Sequence, residues 1–222
     1  MQLNLPFSVN IDIYDEKNFI VHDGNKEAFN FIKSINFLNN NVYLLSGAEK
    51  SGKTYLCHIW QKEVKATFID NKIFNLNKEE FISEVAKIVS LNGKYILEDL
   101  YDVDENKLLY LLNMIIEKRC ILLITSKKTI HEFKFKVNDL QSRFCNIINV
   151  KLQELNEDSK QKIILKLLSD KQMTLDFEVL EFISKKISGN YDIIFGFVNG
   201  LETLIEKGEI KKITINNIKN LL

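Results

Sequence analysis

Two hydrophobic patterns divide the chain near residue 150. Before it, short apolar or β-branched runs alternate with helical periods, and after it only helical periods remain. Short continuous apolar runs are typical of parallel strands buried on both faces, so the first part predicts an α/β fold with a helix-covered parallel sheet. The second part predicts a small all-helical domain. Predicted strands are 42–45, 66–69, 95–97, 121–125 and 146–150, and predicted helices include 104–118, 156–170, 177–187, 191–207 and 214–222.

The composition narrows the functional classes. Thirty basic residues balance thirty acidic ones, so no net charge draws the chain towards nucleic acid, and any DNA contact should be local or made through a partner. No apolar run approaches membrane-spanning length and no secretory start is present, so we expect a cytoplasmic protein without membrane contact. Cys57, Cys120 and Cys145 are far apart among apolar neighbours, which favours buried free thiols over disulfides or a zinc site.

The strongest chemical motif is LLSGAEKSGKTYL. Gly47, Gly52, Lys53 and Thr54 match the phosphate-loop pattern G-x-x-x-x-G-K-S/T between a predicted strand and a helix. Backbone N–H groups of such a loop surround phosphates, the lysine meets the terminal phosphates and the threonine holds Mg²⁺. We therefore predict ADP or ATP with Mg²⁺ as the cofactor. Its predicted phosphate-side contacts are Gly47, Ala48, Lys50, Ser51, Gly52, Lys53, Thr54 and Tyr55.

An acidic pair follows the third predicted strand. Glu98 stands where the metal-side acid is expected, as a ligand with Thr54, and Asp99 where a base would orient the attacking water. On its own such a pair is more often a solvated loop, but it follows a phosphate loop in the right order. The next strand ends in Thr125 and Ser126, whose hydroxyls either contact the γ-phosphate or simply end the strand.

Several stretches together resemble the AAA+ ATPases of the DnaA family and their short Hda-like members. NFIVHDGNKEA, at 18–28, is similar to the segment that wraps adenine, which places Phe19, Ile20 and Val21 along the base and Asn25 at the family's asparagine. DENKLLYLLNMI, at 104–115, resembles the helix after the acidic strand. The resemblance implies an AAA+ nucleotide-binding domain at 11–151 and a helical lid domain at 152–222.

DLQSRF, at 139–144, resembles the family's arginine-finger motif. The resemblance implies that Arg143 acts in trans, on a nucleotide held by a neighbouring subunit. The alternative is a surface arginine in a helix-terminal turn.

Two departures from the family pattern lower the expected intrinsic ATPase activity. Glu98 replaces the usual aspartate, and Gly189 or Asn190 stands where the lid normally carries a sensor arginine, with Lys185 and Lys186 the nearest cations in the sequence. No counterpart of DnaA's helix-turn-helix domain follows the lid, which supports DNA contact only through a partner.

The first residues contain QLNLPF, with the only proline of the chain. Terminal packing would explain it, but it also resembles the clamp-binding peptide of Hda-like proteins, Gln-Leu-x-Leu-Pro-Leu/Phe. The resemblance implies that residues 1–10 bind the DNA polymerase sliding clamp. The predicted contacts are Gln2, Leu3, Leu5, Pro6 and Phe7.

The leading hypothesis is a regulator that binds the clamp and stimulates hydrolysis of ATP on the DnaA initiator, so preventing re-initiation of replication. A self-contained ATPase that loads a helicase or remodels nucleic acid is the alternative, and a nucleotide-free adaptor is a third. Whether the chain forms a homodimer is left undecided by the sequence. No motif gives His22, His58 or His131 a catalytic role, and Trp60 is interpreted as a core residue.

Overall fold

A parallel sheet forms the centre of the fold. In the computed structural model, the described residues are 14, 16, 19–189, 191–219 and 221. Within them a five-stranded sheet has the order β2-β3-β4-β1-β5, and every neighbouring pair is parallel. The strands are β1 (Val42–Gly47), β2 (Thr67–Ile69), β3 (Lys94–Leu97), β4 (Ile121–Ser126) and β5 (Ile148–Leu152).

Helices connect and follow the strands. Several begin at polar residues whose side chains bind the free N–H groups of the first turn. Asn77 forms the predicted capping box with Glu80, and Asp104 and Asn156 cap two further helices. The helices are α1 (Lys26–Ser34), α2 (Lys53–Val64), α3 (Lys78–Ile88), α4 (Glu105–Glu117), α5 (Asn138–Cys145), α6 (Glu157–Asp170), α7 (Phe177–Lys186), α8 (Tyr191–Glu206) and α9 (Ile215–Ile218).

The strands are apolar on both faces because each face is covered by helices. Val42 and Leu44 of β1 join the apolar cluster that includes α3, α4 and α5. Tyr43 and Leu45 point the other way and join the cluster of α1 and α2, where Trp60 is fully buried as predicted. This two-sided burial confirms the predicted α/β class with its helix-covered parallel sheet.

A third apolar cluster belongs to the helices after the sheet. Its buried residues include Ile163 on α6, Leu180 on α7 and Val198 on α8. Ile20, which precedes the sheet in sequence, packs into the same cluster. The helical lid therefore has its own core, and the segment at 19–22 contacts it. The domain boundary between residues 151 and 152 stays a prediction.

The last strand lies two residues later than predicted. The N–H groups of Asn146 and Ile147 donate to the carbonyls of Arg143 and Phe144, and so they complete the end of α5. Pairing with β1 begins only at Ile148. The apolar pattern at 146–150 did not separate the end of the helix from the start of the strand.

The C-terminal helix is shorter than the predicted 214–222. Asn217 and Thr214 form a capping box at its start, but α9 ends at Ile218, its only buried residue. Leu221 is exposed, so among the described residues no further apolar contact supports another turn.

The prediction of three buried thiols was wrong for one cysteine. Cys57 and Cys120 are buried, whereas Cys145 is exposed at the end of α5. That helix buries Leu140 and Phe144 instead, which leaves Cys145 on its outer side. Within the described residues, no helix is both long and apolar enough to cross a membrane.

Candidate nucleotide-binding site

The loop between β1 and α2 has the backbone shape of a phosphate loop. A Cβ on Gly47 would lie 2.9 Å from Ser51 Oγ and 3.0 Å from the Leu152 carbonyl, so a side chain there would displace the loop. Gly52 has φ +98°, in the left-handed region that favours glycine. Helix α2 starts at the next residue, so its free N–H groups and positive dipole end face the loop.

A cavity of about 290 Å³ lies against this loop. It brings together predicted residues from three separate parts of the sequence: Phe19, Ile20, Asn25, Lys50, Ser51, Gly52, Lys53, Thr54, Tyr55 and Asp99. It also contains five residues to which no motif assigned a site role: Tyr14, His22, Glu49, Leu155 and Tyr191. The cavity therefore extends from the phosphate loop to the first turn of α8.

The predicted phosphate-binding lysine is held in place by the loop itself. Lys53 Nζ donates hydrogen bonds to the carbonyls of Gly47 and Ala48, at 2.8 and 2.7 Å. Its side chain is buried, and this burial lowers its pKa, while the charge of Asp99 partly opposes the shift. Ala48 takes part through its carbonyl and does not line the main cavity.

Two buried oxygen atoms fit a nucleotide with a divalent cation. Ser51 Oγ and Glu98 Oε1 have no hydrogen-bond partner among the described residues. A phosphate oxygen could accept from Ser51, and a cation or its water could satisfy Glu98. Thr54 is exposed and lines the cavity. The described part of the chain has no cluster of three His, Cys, Asp or Glu suited to a metal, so phosphate oxygens would have to supply ligands.

The two residues predicted to contact the γ-phosphate hold the acidic loop, and their contact with a γ-phosphate stays a prediction. Asp99 adopts φ +47°, and its N–H donates to Thr125 Oγ1 at 2.8 Å. Ser126 Oγ donates to the carbonyl of Leu100 at 3.2 Å. Because both hydroxyls are buried and engaged, they fix the path of the backbone after Glu98. In this geometry Thr125 and Ser126 are positioning residues.

The predicted adenine segment contributes three of its four residues to the cavity. Phe19 stacks on Phe29 with ring centroids 5.5 Å apart. Asn25 is buried and accepts from the His22 N–H at 2.8 Å while donating to the Ile20 carbonyl at 3.0 Å, so its amide shapes the turn.

Val21 does not line the cavity. Its side chain is 44% exposed, because Ile20 packs on the lid and His22 faces the cavity, which leaves the residue between them towards solvent. Contact of Val21 with the base stays a prediction, which its exposure does not support.

Tyr14 and Tyr191, which no motif identified, line the cavity on either side of Tyr55 in an aromatic cluster. Tyr55 makes an edge contact with Tyr14 at 5.2 Å between ring centroids and another with Tyr191 at 6.2 Å. Tyr191 is the first residue of α8, so this contact links the phosphate-loop helix to the lid. Sequence patterns gave no signal for it, because the pairing is between residues more than a hundred positions apart.

Lys160 lies beside Gly189 in the structure, although Lys185 and Lys186 are closer to Gly189 in the sequence. A second space of about 360 Å³ between the phosphate loop and the lid is lined by Gly189 and Lys160. A Cβ on Gly189 would lie 3.6 Å from Lys160 Cε. Lys185 pairs with Glu181 on the outer side of α7. Asn190, the other candidate for the sensor position, lies outside the described residues, as do Gln2, Leu3, Leu5, Pro6 and Phe7.

Arg143 lies in a different cavity. It lines a space of about 290 Å³ together with Val42, the first residue of β1, and with Ile116 and Asn146. The phosphate loop follows Gly47, at the other end of the same six-residue strand. A strand of that length spans roughly 17 Å. Arg143 is therefore at the opposite edge of the sheet from the chain's own phosphate loop.

These features define a P-loop fold with a helical lid. The phosphate loop follows β1, an interior strand of a parallel sheet, an acidic loop follows β3, and the lid contacts the same cavity. The fold is similar to that of AAA+ domains, and the similar proteins described next include DnaA initiators and RuvB.

Sequence comparison relates the chain to bacterial replication initiators. It is 23% identical over 220 residues to the chromosomal replication initiator protein DnaA of Borrelia duttonii (strain Ly), covering 89% of this chain and 45% of that protein. DnaA of Borreliella burgdorferi (strain ZS7) is 22% identical over 218 residues, with the same coverage. The chain thus spans about half the length of the curated relatives it matches. No family model matches it.

Structural comparison gives the same fold. Domain III of the Thermotoga maritima replication initiation protein DnaA has a TM-score of 0.75, with 20% identity and 95% of each chain covered. DnaA bound to AMPPCP and single-stranded DNA has a TM-score of 0.71 at 21% identity, over 88% of this chain and 68% of that one. The Thermotoga maritima RuvB Holliday junction branch migration motor has a TM-score of 0.68 at 16% identity, over 95% and 71%.

Proposed function

We propose that this chain is an Hda-like regulator of replication initiation. In this proposal it binds ADP or ATP with Mg²⁺ at the phosphate loop, and it presents Arg143 to ATP held by a DnaA initiator. The guanidinium stabilises charge that develops on the γ-phosphate, so hydrolysis on the partner accelerates. The observation that carries the proposal is the separation of Arg143 from the chain's own phosphate loop.

That separation supports action in trans. Arg143 lines a cavity with Val42 at the amino end of β1, the phosphate loop follows the carboxyl end, and the strand between these two ends is roughly 17 Å long. An arginine side chain does not cover this distance through a sheet that is packed on both faces. The guanidinium is half-exposed and lines an open cavity, so a phosphate from a second molecule can approach it.

Adenine nucleotide binding is supported by the cavity and by the neighbours. Lys53, the orphaned Ser51 hydroxyl and the start of α2 surround one end of the cavity, and Phe19 and Tyr55 supply an aromatic wall. Two structural neighbours are DnaA proteins bound to AMPPCP, an ATP analogue. A bound nucleotide would supply phosphate oxygens. Thr54 and Glu98 would hold its metal ion, which would act as a Lewis acid.

The sliding clamp is the proposed partner of QLNLPF. This part of the proposal depends on the sequence alone: Gln2 offers an amide, Leu5 and Phe7 can enter an apolar pocket, and Pro6 reduces the conformational entropy lost on binding. Contact with DNA would then be indirect, through the clamp.

A hydrolysis assay tests the trans mechanism. DnaA·ATP, clamp-loaded DNA and this chain are mixed, and release of phosphate is compared for the parent, Arg143→Ala and Arg143→Lys. We expect both variants to lose most of the stimulation, since lysine keeps the charge but not the bidentate geometry. Lys185→Ala, which removes a cation on α7, serves as the control. Full stimulation by Arg143→Ala would refute the mechanism.

One observation favours hydrolysis by the chain itself as a second candidate function. Asp99 lines the same cavity as Lys53, so an acid stands where it could orient water. In that case the chain alone would turn over ATP, and both Lys53→Ala and Asp99→Asn would abolish turnover. Turnover that is weak and insensitive to Asp99→Asn would favour the regulator.

A further inference from the structure

His22 is a polar residue of the cavity to which the sequence assigned no role. It lies within the predicted adenine segment at 18–28, is buried, and lines the cavity with Phe19 and Asn25. Its backbone is fixed by the Asn25 side chain, which accepts the His22 N–H at 2.8 Å. The imidazole therefore occupies a defined position in the wall near the aromatic rings, away from any catalytic motif.

The hydrogen bond to Gly24 fixes which ring nitrogen carries the proton. The Gly24 N–H donates to His22 Nδ1 at 3.1 Å, so Nδ1 must have a free lone pair. A neutral imidazole with an acceptor at Nδ1 carries its proton at Nε2. Burial lowers the pKa of His22, which favours this neutral ring. The ring therefore offers one N–H donor, at Nε2.

The absence of a side chain at residue 24 permits this contact. A Cβ on Gly24 would lie 3.1 Å from His22 Cε1 and 3.2 Å from Nδ1, closer than an ordinary van der Waals contact. The carbonyl of Gly24 accepts from the Gln153 N–H at 3.0 Å, which anchors the turn to the residue after β5. The donor is thus positioned by the backbone and not by a mobile side-chain network.

The Nε2 atom forms no hydrogen bond with the residues that the structure describes. Among the described residues, the side-chain contact of His22 is the one through Nδ1. Asp23 and Lys162 are the charged groups that act on the ring, and they form an ion pair with each other at 3.6 Å outside it. Because His22 lines the cavity, a group bound there can accept a hydrogen bond from this donor.

We infer that His22 is a base-binding residue of the nucleotide site, whose Nε2–H donates a hydrogen bond to a ring nitrogen of adenine. The inference rests on the proposed nucleotide binding at this cavity. N1, N3 and N7 of adenine are all acceptors, so the donor suits adenine at any of these edges. Guanine shares the acceptors N3 and N7 but carries a proton on N1, so the donor selects against guanine at the N1 edge alone.

Paired changes in protein and ligand test the inference. ADP and its 1-deaza, 3-deaza and 7-deaza analogues are titrated calorimetrically into the parent and into His22→Phe, which keeps a ring but has no donor. One analogue should bind the parent about 3- to 10-fold more weakly than ADP, the loss expected for one hydrogen bond. The same analogue should bind His22→Phe as tightly as ADP does, because the interaction is already absent. His131→Phe, an exposed histidine, is the matched control.

A second measurement uses the unaltered protein, in case the variant does not fold. Nitrogen-15 spectra of the imidazoles should show the Nε2–H form of His22, with Nε2 shifted by ADP but not by inorganic tripolyphosphate. The Nδ1–H form, or equal responses to the two ligands, would overturn the inference. The inference would also be overturned if the loss of binding free energy caused by the analogue and the loss caused by His22→Phe were additive.

Lys53→Ala distinguishes a failure of the proposed His22 role from a failure of the proposed nucleotide site. If Lys53→Ala abolishes ADP binding while the His22 tests fail, only the role of His22 is wrong. If Lys53→Ala leaves ADP affinity unchanged, the proposed nucleotide site itself is wrong.

Discussion

Arg143 Nε lies 3.2 and 3.1 Å from the two carboxylate oxygens of Asp139, one turn earlier on α5. Among the described residues, the pair uses only this nitrogen, so both terminal nitrogens stay available to bind phosphate oxygens. The ion pair therefore orients the proposed finger through Nε and leaves its two terminal nitrogens outside the pair.

Asp139→Ala should weaken stimulation only slightly, whereas Arg143→Ala should abolish it. Exposed pairs at i,i+4 contribute about 0.3 to 0.5 kcal/mol, which corresponds to roughly twofold in rate. A finger supplied in trans contributes about 10³-fold or more. Phosphate release from DnaA·ATP measures both effects. Glu181→Ala removes a similar pair on the lid and should change nothing, and an equal loss for Asp139→Ala and Arg143→Ala would contradict the positioning role.

Lys53→Ala should weaken ADP binding by about 10- to 100-fold, because charge-assisted hydrogen bonds contribute about 1.5 to 3 kcal/mol. In the structure, the same ammonium donates to the carbonyls of Gly47 and Ala48. Calorimetric titration measures the affinity, and a melting curve without ligand measures the effect on the loop. Lys72→Ala, an exposed lysine, is the control, and unchanged ADP affinity in Lys53→Ala would exclude the phosphate loop as the binding site.

Thr125→Val should reduce the free energy of unfolding by about 1 to 3 kcal/mol, because it removes a buried acceptor and leaves the Asp99 N–H without a partner. Urea denaturation measures the loss. Thr67→Val, on the exposed side of β2, should stay within about 0.5 kcal/mol of the parent. If both variants have the same stability, the hydroxyl of Thr125 does not hold the acidic loop.

His22 should make the nucleotide-free chain less stable in mild acid. Burial, the largest cause, lowers the pKa of His22 below its ordinary 6.5; Lys162 adds to this and Asp23 opposes it. The unfolded chain therefore takes up the proton first, so the free energy of unfolding falls as pH drops from 6.5 towards the folded pKa, and the effect is absent above 6.5. Unfolding is measured at about pH 7.5 and about pH 5.5.

His22→Phe should remove part of this pH dependence, because the variant has no titrating group at that position. His131→Phe should keep the full dependence. Identical pH profiles for the parent and His22→Phe would show that His22 is protonated equally in the folded and unfolded chains.

Alanine at Gln2 and Phe7 should abolish binding to the sliding clamp and leave nucleotide binding intact. The apolar anchor and the amide contribute most of the affinity of so short a peptide. Surface plasmon resonance on immobilised clamp measures the loss. Phe37→Ala removes another aromatic side chain, which is 85% exposed, and controls for nonspecific hydrophobic binding. If the double change leaves clamp binding unaffected, QLNLPF is not a clamp-binding peptide, and the interpretation as terminal packing holds.

The fold was readable from the sequence because its signals are local. The run at 42–47 is apolar on both faces, and a strand covered on both sides has no other pattern. The capping box of Asn77 and Glu80 and the loop glycines at 47 and 52 are also local, since each depends on neighbours within a few residues. The errors at β5 and α9 concern element ends, where local preference is weak.

The candidate site could be predicted only where a motif fixed the backbone. Lys50 to Tyr55 are consecutive residues of the phosphate loop and the first turn of α2, so residues that are close in sequence are also close in the cavity. Val21 and His22 are adjacent in sequence, yet one faces solvent and the other the cavity, because packing of Ile20 on the lid sets the direction of each. Hydrophobic periodicity along the sequence does not show which of these two side chains faces the cavity.

The sequence by itself therefore determined the parallel sheet, the phosphate loop and the acidic pair, since strand burial and loop geometry are properties of short segments. Only the tertiary structure decided that His22, Tyr14 and Tyr191 share a cavity with Lys53, that Lys160 stands beside Gly189, and that Arg143 faces away from its own phosphate loop. These relationships depend on sheet order and on how the lid packs, which join residues far apart in the chain.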